Sequence, residues 1–144
     1  MKELRSTIAI SLRNRDIIKQ LAERDILGFK LASTTDIFML AVSLGLSDPQ
    51  PLKQRDPYIR TEYIKVRETA FFESVLLGSN IDEAKLDQYA DLEASLDMCE
   101  QCAESGFKKL EQLAEDAEWD KETIEKRISV MLNQLYLQYV EADI

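Results

Sequence analysis

The fold class this sequence predicts is all-α: five or six helices around a short buried central helix at residues 34–44, preceded by one short N-terminal stretch with strand periodicity. Three observations predict it. Only four glycines and three prolines occur in 144 residues, and the prolines (Pro49, Pro51, Pro57) share one segment. The remaining stretches are Pro-free and rich in Leu, Glu, Ala, Lys and Gln, which favour helix. In FKLASTTDIFMLAVSLGL (29–46), Ile37, Phe38, Met39, Leu40, Ala41, Val42 and Leu44 put apolar groups on every side of one helix. Such a helix is buried or lies in a membrane, and this one is too short to span a bilayer. The length suits a single domain, 1–144, with its own core.

Taken in order, RSTIAISL (5–12) alternates Ile8, Ile10 and Leu12 with Thr7, Ala9 and Ser11, the period of a strand. NRDIIKQLAERDI (14–26) then spaces Ile17, Ile18, Leu21, Ala22 and Ile26 as a helix, with Asn14 at the N-cap and Gly28 as the break. Ser33 stands three residues before Asp36, an imperfect capping box for the buried helix 34–44, and Gly45 is expected to end it in the left-handed conformation. Residues 45–57, GLSDPQPLKQRDP, read as a loop with turns at Asp48-Pro49 and Asp56-Pro57. A helix follows from about Glu62 to Leu77, ended by Gly78. Asn80 caps the next, with Asp82 and Glu83 in its first turn, where negative charge is favourable. Its stripe runs through Leu86, Ala90, Leu96, Cys99, Ala103, Phe107, Leu110 and Leu113, and Gly106 marks a kink or break before Asp116. Asp120 caps the last helix, whose stripe is Ile124, Ile128, Met131 with Leu132, Leu135 and Tyr139.

Charge divides the chain. Residues 1–67 carry twelve Lys/Arg against eight Asp/Glu, a net of +4, whereas 68–144 carry six against nineteen, a net of −13. The split fits two faces with different partners, head-to-tail self-association, or two solvated helix surfaces. In and after the loop, Lys53, Arg55, Arg60, Lys65 and Arg67 are interleaved with Tyr58 and Tyr63. That set could grip a phosphate or an acidic partner, or its arginines could pair with the acidic half of the same chain.

The chain contains no histidine, which removes most Ser-His and Cys-His nucleophiles and the commonest metal ligand. Cys99-Glu-Gln-Cys102 sits mid-helix among Asp97, Glu100 and Glu104, which disfavour a thiolate, and only a dimer donating a cysteine pair from each protomer could complete a zinc site. Glu115-x-x-Glu118 and Glu122-x-x-Glu125 have the local spacing of the Mg²⁺ ligands in all-α nucleotide pyrophosphatases resembling MazG, but they flank a turn. No cofactor, metal site or catalytic residue is expected. The start, MKELRSTIAISL, is too interrupted for a signal peptide, no segment is expected to span a membrane, and two cysteines without export signs fit reduced thiols in a cytoplasm.

Several segments taken together carry a family likeness: FKLASTTDIFMLAVSLGL, Pro51-Leu52, IRTEY at 59–63 and YADLEASLDMCEQCAESGFKKLE. Over residues 13–111 the chain resembles the small helical accessory proteins encoded beside bacterial DNA-phosphorothioation (Dnd) genes, called Dnd system-associated protein 4. The resemblance implies an accessory of a DNA-modification or anti-phage locus, with no chemistry to carry over.

The expected function is therefore a cytoplasmic, non-enzymatic helical accessory acting through a protein partner, as a homo-oligomer, with the contact surface at Lys53, Arg55, Arg60, Lys65 and Arg67. Two alternatives stand beside it. A ribbon-helix-helix-like DNA-binding regulator would pair residues 5–12 across a two-fold and present Arg5, Thr7, Ala9, Ser11 and Arg13 to the major groove. An acidic DNA mimic would use the run of acids from Asp82 to Glu125 to block a basic partner.

Overall fold

The computed structural model describes residues 6–78 and 92–142, without the side chains of 76–78 and 138–142. In chain order it contains β1 (Thr7–Ser11), α1 (Leu12–Glu23), a 3₁₀ turn (Ile26–Gly28), α2 (Thr34–Leu44), β2 (Arg55–Arg60), a second 3₁₀ turn (Thr61–Tyr63), α3 (Val66–Gly78), α4 (Leu92–Asp116) and α5 (Lys121–Ala142). The chain is thus mostly helical but not all-α. β1 and β2 form a two-stranded antiparallel sheet, with Thr7 opposite Arg60 and Ser11 opposite Arg55.

The strand at 55–60 corrects the reading of 45–57 as loop and of the helix from Glu62. Its Asp-Pro pair was a turn signal, because proline cannot donate to a ladder. Here the register slips, Ile8 facing Ile59 and Ala9 facing Pro57, so Tyr58 is the extra residue of a bulge. The slip lets Pro57 sit in the strand. α3 begins only at Val66, where the Glu68 carboxylate accepts from the Lys65 N–H at 2.8 Å, the back-reaching half of a capping box.

α2 forms where it was expected, and the Ser33 hydroxyl accepts from the Asp36 N–H at 3.1 Å. It shares the centre of the molecule with α4, which also packs against α1, α3, α5 and β1. Phe38 of α2, Phe72 of α3 and Phe107 of α4 are fully buried, and the Phe38 and Phe72 rings meet edge to face at 5.9 Å. Each such ring contributes about 1.5–3 kcal/mol through burial alone.

Two glycines set how close α2 and α4 come. A Cβ on Gly45 would lie 1.8 Å from the Cys102 carbonyl oxygen, and one on Gly106 would lie 1.8 Å from that of Ala41. The backbones therefore touch. Gly45 has φ −105°, so it is not the left-handed cap expected, and α4 runs unbroken through Gly106. Both glycines serve helix contact.

Asn14 is likewise not a cap. α1 starts at Leu12, and Asn14 lies buried inside it. α1 also ends earlier than expected, at Glu23, because Asp25, Leu27 and Gly28 all take positive φ and turn the chain back. Asp120 does cap α5, accepting from the Thr123 N–H at 3.0 Å. The expected cap Asn80 with Asp82 and Glu83, and the stripe residues Leu86 and Ala90, lie outside the described residues.

Candidate functional site

The basic segment is anchored from behind by one carboxylate of α4, Glu100. Glu100 and Glu104 stand one helical turn apart, 1 % and 4 % exposed. Burying a charge is unfavourable unless it is paired and hydrogen-bonded, and both acids are. Glu100 Oε2 accepts from the Ala9 N–H at 2.6 Å, and its Oε1 accepts from Arg55 Nη2 at 2.7 Å. Glu104 Oε2 accepts from Asn14 Nδ2 at 2.7 Å, and its other oxygen lies 3.7 Å from Lys108 Nζ.

The strand pair is fastened to α1 in the same way. Ser11 Oγ accepts from the Lys53 N–H at 3.1 Å, and the Gln54 carbonyl accepts from the Leu12 N–H at 2.9 Å. Arg15 reaches across to the Asp56 carboxylate and the Pro57 carbonyl, and lies 5.8 Å from the centre of the Tyr58 ring. The Tyr58 hydroxyl is buried with no hydrogen-bond partner among the described residues. Burial pushes this phenol up to about 12, against the opposing pull of the Arg15 charge.

These contacts divide the predicted contact residues. Arg55 is committed to the core through Glu100, and Arg60 pairs loosely with Glu62 at 3.4 Å, both side chains exposed. The Lys53, Lys65 and Arg67 side chains are exposed and form no ion pair among the described residues. What remains outward is Lys53, Arg60, Lys65 and Arg67.

The ribbon arrangement is corrected at its strand. β1 pairs with β2 of the same chain, and on its other edge the Ala9 N–H bonds to Glu100 of α4. Of the residues expected to face DNA, Thr7 is half-buried, Ala9 and Ser11 are buried, and Arg13 is exposed but held by Glu111 at 2.5 Å. Arg5 lies outside the described residues. The acidic face is likewise depleted, since Glu100, Glu104 and Glu111 turn toward the basic half.

Cys99 and Cys102 are buried, and the Cys99 thiol lies 3.6 Å from the Phe72 carbonyl oxygen. Burial pushes Cys102 up to about 11 and Cys99 higher still, with the neighbouring Cys102 and Glu100 adding to the shift at Cys99. Both thiols stay protonated near neutral pH. Glu118 falls in the turn between α4 and α5 at φ 53°, while Glu125 Oε2 accepts from the Leu27 N–H at 2.8 Å. Among the described residues no group of three or more Cys, Asp or Glu side chains is gathered as for a metal ion. Nor is any helix there long and apolar enough to cross a membrane.

Sequence reasoning missed the buried acids Glu100 and Glu104. The signal was the run Cys102-Ala-Glu-Ser-Gly106, small residues around one acid, which marks a helix packed closely on more than one side. No family model matches the chain, and neither the curated proteins nor the solved structures contain a match to it.

Proposed function

We propose that this is a non-enzymatic helical accessory protein of the cytoplasm that acts by binding another protein, in the setting of bacterial DNA modification, defence or a mobile element. One observation carries the reading. The acidic half of the chain engages Arg13 and Arg55 of the basic half, yet leaves Lys53, Arg60, Lys65 and Arg67 outward around β2 and the start of α3. Cations presented from a braced strand and helix start suit an acidic protein surface, where complementary charge chiefly sets encounter rate and specificity. The resemblance to Dnd-associated accessory proteins supplies the setting.

The test reverses Arg60, Lys65 and Arg67 to Glu together and leaves Arg55 in place, because Arg55 pairs with a buried acid. Affinity capture from the native host, with nuclease-treated and untreated extracts, should show a partner that the triple variant loses in both. Unchanged capture by a variant with wild-type circular dichroism removes this surface. A partner lost only after nuclease treatment would favour a nucleic-acid bridge instead.

A further inference from the structure

Two helix faces look into one hollow of about 490 Å³ between α4 and α5. Small-molecule sites ordinarily occupy about 300–1,000 Å³, with apolar walls and a few polar groups that orient the ligand. The apolar part here is Leu113 of α4 with Val130 and Met131 of α5. Leu113 is buried, Met131 is half-buried against the core, and Val130 is 57 % exposed. The floor is therefore fixed and the mouth is open to water.

The polar part runs against the charge of this half of the chain. Residues 68–144 hold six Lys/Arg against nineteen Asp/Glu. Three of those six cations, Lys109, Lys126 and Arg127, line this one hollow, against one carboxylate, Asp116, among the described residues. Asp116 is engaged by Gln112, whose Nε2 donates to it at 2.9 Å. Lys109 gives one N–H to the Leu44 carbonyl at 2.9 Å, and an ammonium has two more to give. Lys126 pairs with Glu122 at 3.1 Å with both side chains exposed, a contact that contributes little in water. Arg127 is exposed and forms no ion pair among the described residues.

We propose that this hollow binds a small free anionic amphiphile, a carboxylate with a short aliphatic tail. Arg127 and Lys126 hold its head, and Leu113, Val130 and Met131 take its tail. A guanidinium left without a carboxylate of its own matches one carboxylate bidentately. No residue of 53–67 lines the hollow, so this site and the partner surface stand or fail separately.

Isothermal titration calorimetry of the full chain tests this with decanoate as the probe, below the concentration at which it forms micelles. Acetate supplies the head without the tail, and decyltrimethylammonium the tail with the opposite charge. The chain carries a net charge of −9, so indiscriminate adsorption would favour the cationic probe. Decanoate should saturate a single site, about tenfold or more tighter than either control. Arg127→Glu and Val130→Asp, both at exposed positions and with unchanged circular dichroism, should each weaken it by about tenfold or more. Lys19→Glu, the same charge change on α1, should leave it as it is. Absence of saturable decanoate binding overturns the proposal, and so does binding that decyltrimethylammonium matches or that both hollow variants leave unchanged. Association with phosphatidylglycerol vesicles in place of free decanoate would assign the hollow to a membrane surface and overturn it as well.

Discussion

Glu100 satisfies two groups that are otherwise far apart in the chain, the N–H of Ala9 and the guanidinium of Arg55. The two halves of that arrangement are not equal. The Arg55 side chain is 53 % exposed but its Glu100 partner only 1 %, so removing Arg55 leaves a buried carboxylate that solvent does not reach. The Ala9 N–H is buried, and Glu100 Oε2 is the acceptor it uses at 2.6 Å. Glu100→Ala should therefore lower stability by about 1–3 kcal/mol, the usual consequence of leaving a buried donor unmatched. Arg55→Met should cost as much or more, because it leaves the buried Glu100 carboxylate without its cation. Urea denaturation of the two variants checks this, and an Arg55→Met variant as stable as the wild type would mean that Glu100 is satisfied without the guanidinium. Neither Glu100 nor Asn14 could be placed from sequence. A glutamate on a helix reads as a wet-face residue, and an asparagine before an apolar run reads as a cap. Ser33 and Asp120 were legible because a cap acts within four residues of itself.

At the scale of elements, the crossing of α2 and α4 depends on Gly45 and Gly106. An exposed helical glycine replaced by alanine usually gains up to about 1 kcal/mol from propensity. At Gly106 the sign should reverse. The added methyl meets the Ala41 carbonyl at 1.8 Å, and backbone atoms cannot rotate aside as a side chain can. Gly106→Ala should therefore destabilise by about 1–3 kcal/mol, as overpacked cores do. A urea midpoint equal to or above the wild type would show that the helices separate at little cost. The strand β2 makes the complementary point. Its sequence, RDPYIR, alternates weakly and contains a proline, so periodicity alone could not show it. It becomes a strand because β1 lies beside it and the bulge at Tyr58 accommodates Pro57.

Across the whole molecule, three neutral groups make the fold sensitive to alkali. Cys102 is pushed up to about 11, Tyr58 up to about 12, and Cys99 beyond both. In the unfolded chain these groups ionise near their ordinary values, about 8.5 for a thiol and about 10 for a phenol. A raised folded value means the unfolded state gives up its protons first as pH rises. Their contribution is thus fully present below about pH 8.5 and is lost progressively as pH climbs toward 11 and 12. Urea midpoints should fall between about pH 8 and pH 10.5, and Cys102→Ala should flatten part of that fall. A midpoint constant over this range in the wild type would contradict the assignment. On the same scale, the contrast between a basic first half and an acidic second half resolves in part within one molecule, through Arg13 with Glu111 and Arg55 with Glu100.

By itself the sequence determined what depends on short spacing. The helical content, the position of α2, the caps at Ser33 and Asp120, and the burial of the Cys99–Cys102 face all follow from which side chains recur over a few residues. The tertiary structure decided whatever requires two distant segments to meet. It paired β1 with β2, brought α2 and α4 into backbone contact at Gly45 and Gly106, turned Glu100 and Glu104 inward, and separated Arg55 from the outward Lys53, Arg60, Lys65 and Arg67. The physical reason is that periodicity reports how a side chain sits on its own element, whereas an ion pair, a bulge or a glycine contact is defined by the element opposite.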